Sequence, residues 1–566
     1  MLAAPRADGT SFDPKRALVA TSVAVGVASI IWLIDFTKYP YEVIRQHVFE
    51  YYLRTQDIAG SALLLAIVLA ACLPGVQRPA LALAGAIGRN PWPLAAAAFV
   101  LLAAGTLYVH HNHALTQDDY QALFQSKVFA AGRLTGRYPV ELLDNLIPFH
   151  YRDRFVVASD VTGEVASNYW PGFSAILAPF SLIGAPWACN PLLAALSLVV
   201  IGRIATRLAG TADAGGWAML LALASPQFTA SAITYFSMSA HLLANLVFAW
   251  LLFEPTRRRL LLAGLAGSVA LVLHQPVPHL LFAAPWIVWL ALQPGGRGNL
   301  LWLAAGYAPV ALVAGVGWAL FVRQLQGASL WMAPYPADGS LVHSLGNFVW
   351  LWQMKLGWAF GLPGEYLLRL RLGELVRLWA WAVPGLPALA AAGWWLARGN
   401  PHARLLGLSF ASTALGYLLV VYQQGHGWGA RYYHSAWGAL PILAACALVS
   451  ARSAATLAPL RGYVAAAALA SLVFATAQRA WQIHEDVGGQ IEKRPPVLAG
   501  ARQIVFIAYD FHTYTADLVQ NDPFLRGPVI TLLSQGGRAD AQLIRERYPG
   551  ARLVVNERRG QVWQLP

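Results

Sequence analysis

The sequence predicts an all-α polytopic membrane protein of about thirteen transmembrane helices. Two further helices are expected along the outer surface in its first long loop, and a small extracytoplasmic α/β domain at its C-terminal end. Three observations carry this. The 566 residues are 57% hydrophobic and only 12% charged, a balance that excludes a set of soluble domains. Apolar runs of about 18–22 residues recur from end to end, each long enough to cross roughly 30 Å of hydrocarbon. Arginines gather in alternate short loops, as expected of residues retained on one side of a bilayer. They supply most of the +13 formal charge, which suits an anionic membrane surface. No nucleic-acid-binding motif accompanies them, so membrane lipids and not nucleic acid are the expected partners.

Lys15 and Arg16 precede the run Ala17–Ile34, which is long enough to span and is followed by no small-residue cleavage site. The N-terminus therefore reads as a membrane helix and not as a cleaved signal peptide. Further spans begin near Ile58, Pro93, Pro191, Gly215, Phe236, Leu260, Val277, Leu300, Leu375, Leu405, Ser435 and Leu460. Residues 1–92 hold an N-terminal pair of spans, 93–479 the transmembrane core, and 480–566 the tail. Arg78, Arg89, Arg203, Arg207, Arg257–Arg259, Arg297, Arg398, Arg404, Arg452 and Arg461 fall on the N-terminal side. The opposite loops carry chiefly Lys38, Arg45, Arg54 and Arg431. This asymmetry places the N-terminus in the cytoplasm and, with an odd number of spans, the C-terminus outside. Residues 110–170, 322–374, the Gly425–His434 loop and the tail then share the outer face. Abundant Ala, Arg, Gly and Pro with short loops point to a bacterial inner membrane, whose outer face is periplasmic.

Within the first long loop, residues 110–170, Tyr120, Leu123, Phe124, Val128, Ala131 and Leu134 fall on one helical face, with Gln125, Ser126 and Arg133 turned away. Such a helix lies along a membrane surface. Gly172–Trp187 is apolar but short and interrupted by Pro179 and Pro186, and reads as a second interfacial helix. In the tail, Ile504–Ala508, Val529–Leu533 and Leu553–Asn556 read as strands and Ala539–Arg547 as a helix. The tail has no Gly-rich phosphate loop and no catalytic cluster, and reads as a cap or a docking element. Cys72, Cys189 and Cys446 are far apart in or near apolar segments and read as small hydrophobes.

The chemistry-bearing feature is the pair Asp118 and Asp119, just past the exit of a hydrophobic segment. Two adjacent carboxylates at a bilayer surface lose solvation, and proton transfer is a reason to keep them; Asp119 also reads as a helix N-cap. His110, His111 and His113 precede the acids and could ligate zinc or manganese with Asp118, although they meet no fixed ligand spacing. His241 faces the bundle interior, either lining a cavity or as a satisfied core histidine. Tyr169 and Trp170 serve either to stack on a sugar ring or as residues of the aromatic belt.

Several segments resemble the GT-C superfamily of polyprenyl-phosphate-sugar-dependent glycosyltransferases, in the branch of the protein O-mannosyltransferases and aminoarabinose transferases (glycosyltransferase family 39-like). QDDYQALFQSKVFAAGRL (Gln117–Leu134) is similar to the family's acidic pair, interfacial helix and Gly-Arg-Leu turn. NYWPGFSAILAPFSLIGAPWACNPLL (Asn168–Leu193) is similar to its Tyr-Pro-Pro-Gly segment, with Trp170 in place of the first proline. GHGWGARYYHSAWGALPIL (Gly425–Leu443) is similar to its late Gly-x-Arg-Tyr loop, and NFVWLWQMKLGWAFGLPG (Asn347–Gly364) matches more loosely. The resemblance covers roughly residues 93–448 and leaves out the first two spans and the tail.

The resemblance implies a GT-C-like fold and an inverting glycosyltransferase acting at the outer face. It would move a sugar from a polyprenyl-phosphate donor to a glycolipid, polysaccharide or protein. Asp118 takes the position of the base and Asp119 that of its partner, while Arg431, beside Tyr432, Tyr433 and His434, is the candidate for the donor phosphate. Lys355 is a second candidate for that work, and Tyr169 and His241 for the substrate cavity. His274 stands where relatives often carry Arg before Pro, which leaves the donor's identity open. A divalent metal is a possible cofactor. Competing readings are a transporter or flippase of lipid-linked sugars, an O-antigen polymerase or ligase, and a silent scaffold. The absence of two matching halves speaks against the transporter. A polymerase or ligase would rest on Arg and His in a late loop, without an early acid pair.

Overall fold

The computed structural model describes residues 13–38, 48–326, 335–336, 338–362, 364–422, 424–450, 454–510 and 513–566. It is mostly helical. Among the described residues, six helices are long and apolar enough to cross a membrane: Pro14–Thr37, Glu50–Ala71, Pro91–Val109, Pro186–Ala209, Gly296–Gln326 and Leu457–Ile491. Shorter apolar helices, including Ala212–Leu223, Met238–Leu252, Val277–Ala291, Leu386–Leu396 and Ala439–Leu448, pack among them. Arg45 and Arg452, two of the orienting residues, lie outside the described ones.

Most of the expected spans correspond to one helix each, but the run expected from Leu375 does not. Glu365–Ala380 ends there and Leu386–Leu396 begins after a break. Pro384 lacks an amide hydrogen to continue the ladder, and Gly385 takes φ +82, open chiefly to glycine. Two helices lie where the sequence suggests only loop. Pro74–Gly88 follows the second span, and Leu341–Ala359 sits within the loop expected over 322–374.

Close helix crossings use glycine. Helices Arg257–Val272 and Gly296–Val310 meet at Gly264 and Gly306, where a Cβ on Gly264 would stand 2.2 Å from the Leu303 carbonyl oxygen. Charge is also buried in the bundle. Asp57 accepts a hydrogen bond from Arg377 Nε on Oδ2 and one from Trp381 Nε1 on Oδ1, each at 2.7 Å, and Arg479 Nη2 lies 3.2 Å from Oδ1. All three charged side chains are at most 2% exposed, which requires them to satisfy one another.

The first long loop and the tail pack as one unit made from two distant parts of the chain. In the first long loop, β1 (Gly136–Arg137), β2 (Val156–Ala158) and β3 (Glu164–Ser167) form an antiparallel sheet in the order β1-β3-β2. In the tail, β4 (Gln503–Ile507), β5 (Val529–Leu533), β6 (Arg552–Glu557) and β7 (Gly560–Gln564) form a sheet in the order β5-β4-β7-β6. The pair β4 and β5 is parallel, and helix Gly537–Arg547 follows β5. The sequence signals three of these tail strands; β7 is the fourth, turned back on β6 at Gly560. Tyr120, Phe124, Val128, Tyr138 and Leu142 share one core with Ile504, Phe506, Leu532 and Ile544. The last long helix continues to Ile491, past the boundary at 480, and the first tail strand begins at Gln503.

Candidate active site

The acidic loop begins where helix Pro91–Val109 ends in a π turn at Gly105–Val109. His111 and Asn112, both at positive φ, reverse the chain. Thr116 then caps helix Gln117–Ala130, its hydroxyl accepting from the Asp119 amide at 3.4 Å. The cap is therefore Thr116 and not Asp119. Asp118 and Asp119 occupy the first turn, where the helix dipole favours negative charge. The helix packs against Gly172–Leu182, the second expected surface helix. Its polar far side does not face solvent, however. Gln125 accepts from the Ser167 amide at 2.9 Å and donates to the Leu134 carbonyl at 2.9 Å, while Ser126 pairs with Ser181 at 2.7 Å. β3 and the neighbouring helix cover the face that periodicity assigned to water.

The two acids have opposite surroundings. Asp118 Oδ1 accepts from the Tyr169 hydroxyl at 2.6 Å, and Oδ2 from Arg431 Nη2 at 2.9 Å. His274 Nε2 lies 3.8 Å from Oδ1, and its ring packs edge-on to Tyr169 with centroids 4.0 Å apart. Burial pushes the Asp118 pKa up, but the Arg431 charge, His274 and the two hydrogen bonds outweigh it. The carboxyl is held below its ordinary value and is ionised near neutral pH. Asp119 is fully buried, and neither oxygen has a hydrogen-bond partner among the described residues. Burial and the neighbouring Asp118 raise it well above the carboxylate range, so it carries a proton. His274 is lowered by burial, against the pull of Asp118, and is neutral near pH 7.

Arg431 is presented by a loop that needs glycine. Gly425, Gly427 and Gly429 all take positive φ, at 64, 104 and 69 degrees. Gln227 Oε1 accepts from the Ala430 amide at 2.6 Å, and Gln424 Oε1 from the Arg431 amide at 2.9 Å. Gln424 Nε2 and Arg377 both reach the Gly429 carbonyl, at 2.9 and 3.2 Å. The guanidinium stacks on Phe236, 4.0 Å from the ring centroid. While Nη2 holds Asp118, Nε and Nη1 are buried with no partner among the described residues. Beside Asp118 lies a cavity of about 20 Å³, room for a single water, lined by Tyr169, Trp170, Tyr235, Phe236, Met238 and His274.

The remaining expected residues are placed elsewhere. Tyr432 stacks on Tyr417 with Arg371 over its ring, and Gln227 Nε2 lies 3.1 Å from His434 Nδ1, so both shape the loop behind Arg431. His241 is buried in the bundle with neither ring nitrogen partnered among the described residues, and it does not line the small cavity. Lys355 belongs to helix Leu341–Ala359, and its side chain lies outside the described ones. The histidine triplet does not assemble with Asp118. His111 stacks on His484 with centroids 4.3 Å apart, and burial pushes His110 down to about 3 and His113 to about 4. Among the described residues, no three His, Cys, Asp or Glu side chains are grouped to hold a metal ion.

Sequence gave no sign of Asp517. This tail carboxylate is buried under the acidic helix, accepting from the Gln117 amide at 3.0 Å, and burial pushes it up to about 7. Gln117 Nε2 donates to the Val519 carbonyl at 3.3 Å, Tyr120 bonds to the Asn521 carbonyl, and Gln520 Nε2 reaches the Ala114 carbonyl at 2.7 Å. The acidic helix is thus fixed from behind by the tail.

No protein-family model matches the chain, and no curated protein matches it. Among solved structures, the chain is similar to ArnT from Cupriavidus metallidurans bound to undecaprenyl phosphate, with 15% identity and a TM-score of 0.46, covering 84% of this chain and 98% of that one. It is similar also to ArnT from the same organism in the apo state, with 13% identity and a TM-score of 0.47, covering 82% and 97%.

Proposed function

We propose that this chain is an inverting, GT-C-like glycosyltransferase of the bacterial inner membrane, moving a sugar from a polyprenyl-phosphate donor to an acceptor hydroxyl at the periplasmic face. The observation that carries the reading is the pairing of an ionised carboxylate, Asp118, with a guanidinium whose Nε and Nη1 are buried and unpartnered. Such donors are costly to leave unmet, and phosphate oxygens are fitting partners for them. A base and an anion-binding group therefore stand side by side on the loop face of a membrane bundle.

In this scheme the donor phosphate engages Arg431. The acceptor hydroxyl gives its proton to Asp118 as its oxygen attacks the anomeric carbon. The bond from that carbon to the phosphate oxygen breaks with its electron pair on oxygen, leaving polyprenyl phosphate held by Arg431. Attack opposite the leaving group inverts the anomeric centre. Phosphate competing for Arg431 also loosens its hold on Asp118, so the carboxylate gains basicity once the donor is seated. The cavity of about 20 Å³ is too small for a sugar, and Trp170, Met238 and His274 must move aside to admit one. The acceptor is a glycolipid, polysaccharide or protein.

The test is sugar transfer from a radiolabelled polyprenyl-phosphate sugar by the purified protein in vesicles, comparing wild type with Asp118→Asn, with and without chelator. The expected result is turnover reduced about 10²–10⁴-fold with donor binding retained. Equal turnover by both proteins removes Asp118 from the chemistry. Sugar-lipid movement across the vesicle without transfer supports a flippase instead. Loss of activity with chelator reinstates a divalent ion, for which no three described His, Cys, Asp or Glu side chains are grouped.

A further inference from the structure

A second, roomier cavity lies far from the acidic loop. It has a volume of about 930 Å³ and lies among helices Pro74–Gly88, Pro91–Val109, Pro186–Ala209 and Ala212–Leu223. Pro91 and Trp92, at the start of one helix, line it, and 19 residues later that helix delivers the chain to His110. At 1.5 Å per residue the two places are separated by about 28 Å, which puts the cavity at the opposite, arginine-rich end of the bundle.

Its floor is apolar and smooth, formed by Ala84, Gly202, Gly215, Met219 and Leu220. Its rim carries Arg89, Arg203, Arg207 and Arg461 against one acid, Asp213. Arg207 is paired with Glu254. Arg89 and Arg461 bond only to backbone carbonyls through Nε, and Arg203 lies 5.8 Å over the Trp92 ring. None of these three has a carboxylate partner among the described residues. Three unneutralised arginines over an apolar floor, beside an interfacial tryptophan, complement a ligand with an anionic head and apolar chains.

We infer that this cavity is a binding site for an anionic glycerophospholipid, its phosphate held by Arg89, Arg203 and Arg461 and its acyl chains on the glycine-rich floor. The site is separate from the proposed donor site and does not depend on it.

The experiment is native mass spectrometry of the full-length protein in detergent, offered equal amounts of dioleoyl-phosphatidylglycerol and dioleoyl-phosphatidylcholine. Wild type is expected to retain the phosphatidylglycerol preferentially. Arg203→Gln combined with Arg461→Gln is expected to weaken that retention on the order of tenfold. Ala212→Trp, which narrows the mouth without changing charge, should weaken it too. Arg297→Gln, at the same end but outside the cavity, should not. Equal retention of both lipids, or variants indistinguishable from wild type, overturns the inference. Displacement of the lipid by millimolar inorganic phosphate also overturns it, as the site would then take the free anion. Elution profile and melting temperature of each variant confirm that it is folded before its lipid content is read.

Discussion

Arg431 and Asp118 are 313 residues apart in the chain and 2.9 Å apart in space, Nη2 to Oδ2. That contact joins the late glycine loop to the first turn of the acidic helix. It makes the protonation of one group depend on the occupancy of the other, and that dependence can be measured.

With Arg431 on the carboxylate, Asp118 stays ionised to low pH; with phosphate on Arg431, it protonates more readily. The acidic limb of kcat, which reports the donor complex, should therefore lie at higher pH than that of kcat/KM, which reports the free enzyme. Arg431→Gln should raise the kcat/KM limb toward the kcat limb and increase the donor KM. Coincident limbs in wild type would separate the two roles.

Tyr169→Phe removes a donor to the ionised form of Asp118, so the carboxyl titrates higher and the acidic limb moves up in pH. A hydrogen bond to a charged group is worth about 1.5–3 kcal/mol, and kcat/KM should fall roughly tenfold or more. A pH–rate profile of the variant, compared with wild type, checks both the direction and the loss.

Asp517 is raised by burial to about 7 when folded, against an ordinary value near 3.9. Between those values the folded state holds a proton that the unfolded state has lost, so stability falls as pH rises through this window and levels off above it. Asp517→Asn keeps an acceptor for the Gln117 amide and removes the titration. The melting temperature of the variant relative to wild type should climb from pH 4 to pH 8, by an amount corresponding to a few kcal/mol at most. A flat difference across that range would show that Asp517 is not protonated in the fold.

Asp57→Asn takes away the carboxylate that bridges Arg377 and Arg479. Two buried guanidiniums then lose the carboxylate they share, a loss of about 3–5 kcal/mol. Thermal unfolding in detergent should show a large drop, and replacing Arg479 together with Asp57 should restore part of it.

The sequence was most readable where one physical requirement dominated. Length and hydropathy mark the crossing helices, and a paired acid beside lipid marks Asp118. Segment order and resemblance point to Arg431 and Tyr169, and the structure brings both to Asp118. Reading failed where a distant segment changed the environment. Gln125 and Ser126 looked solvated because nothing local reveals that β3 and helix Gly172–Leu182 cover them. Tyr432 and His434 follow Arg431 closely in sequence, yet a turn aims them at Tyr417 and Gln227 instead. The three histidines are neighbours in sequence, but the reversal at His111 and Asn112 scatters their rings. Asp517 carries no local signature at all, since its meaning comes from a helix 400 residues earlier.

That separation bears on how the protein is made. The acidic helix leaves the ribosome early, and Asp517, Val519 and Asn521, which fix it from behind, emerge about 400 residues later. At roughly 5–20 residues per second this is an interval of about 20–80 s. During that time the bundle can insert while its acids stand unsupported. A chain that stalls between these two segments can therefore thread the bilayer while its acidic helix still lacks the contacts that fix it from behind.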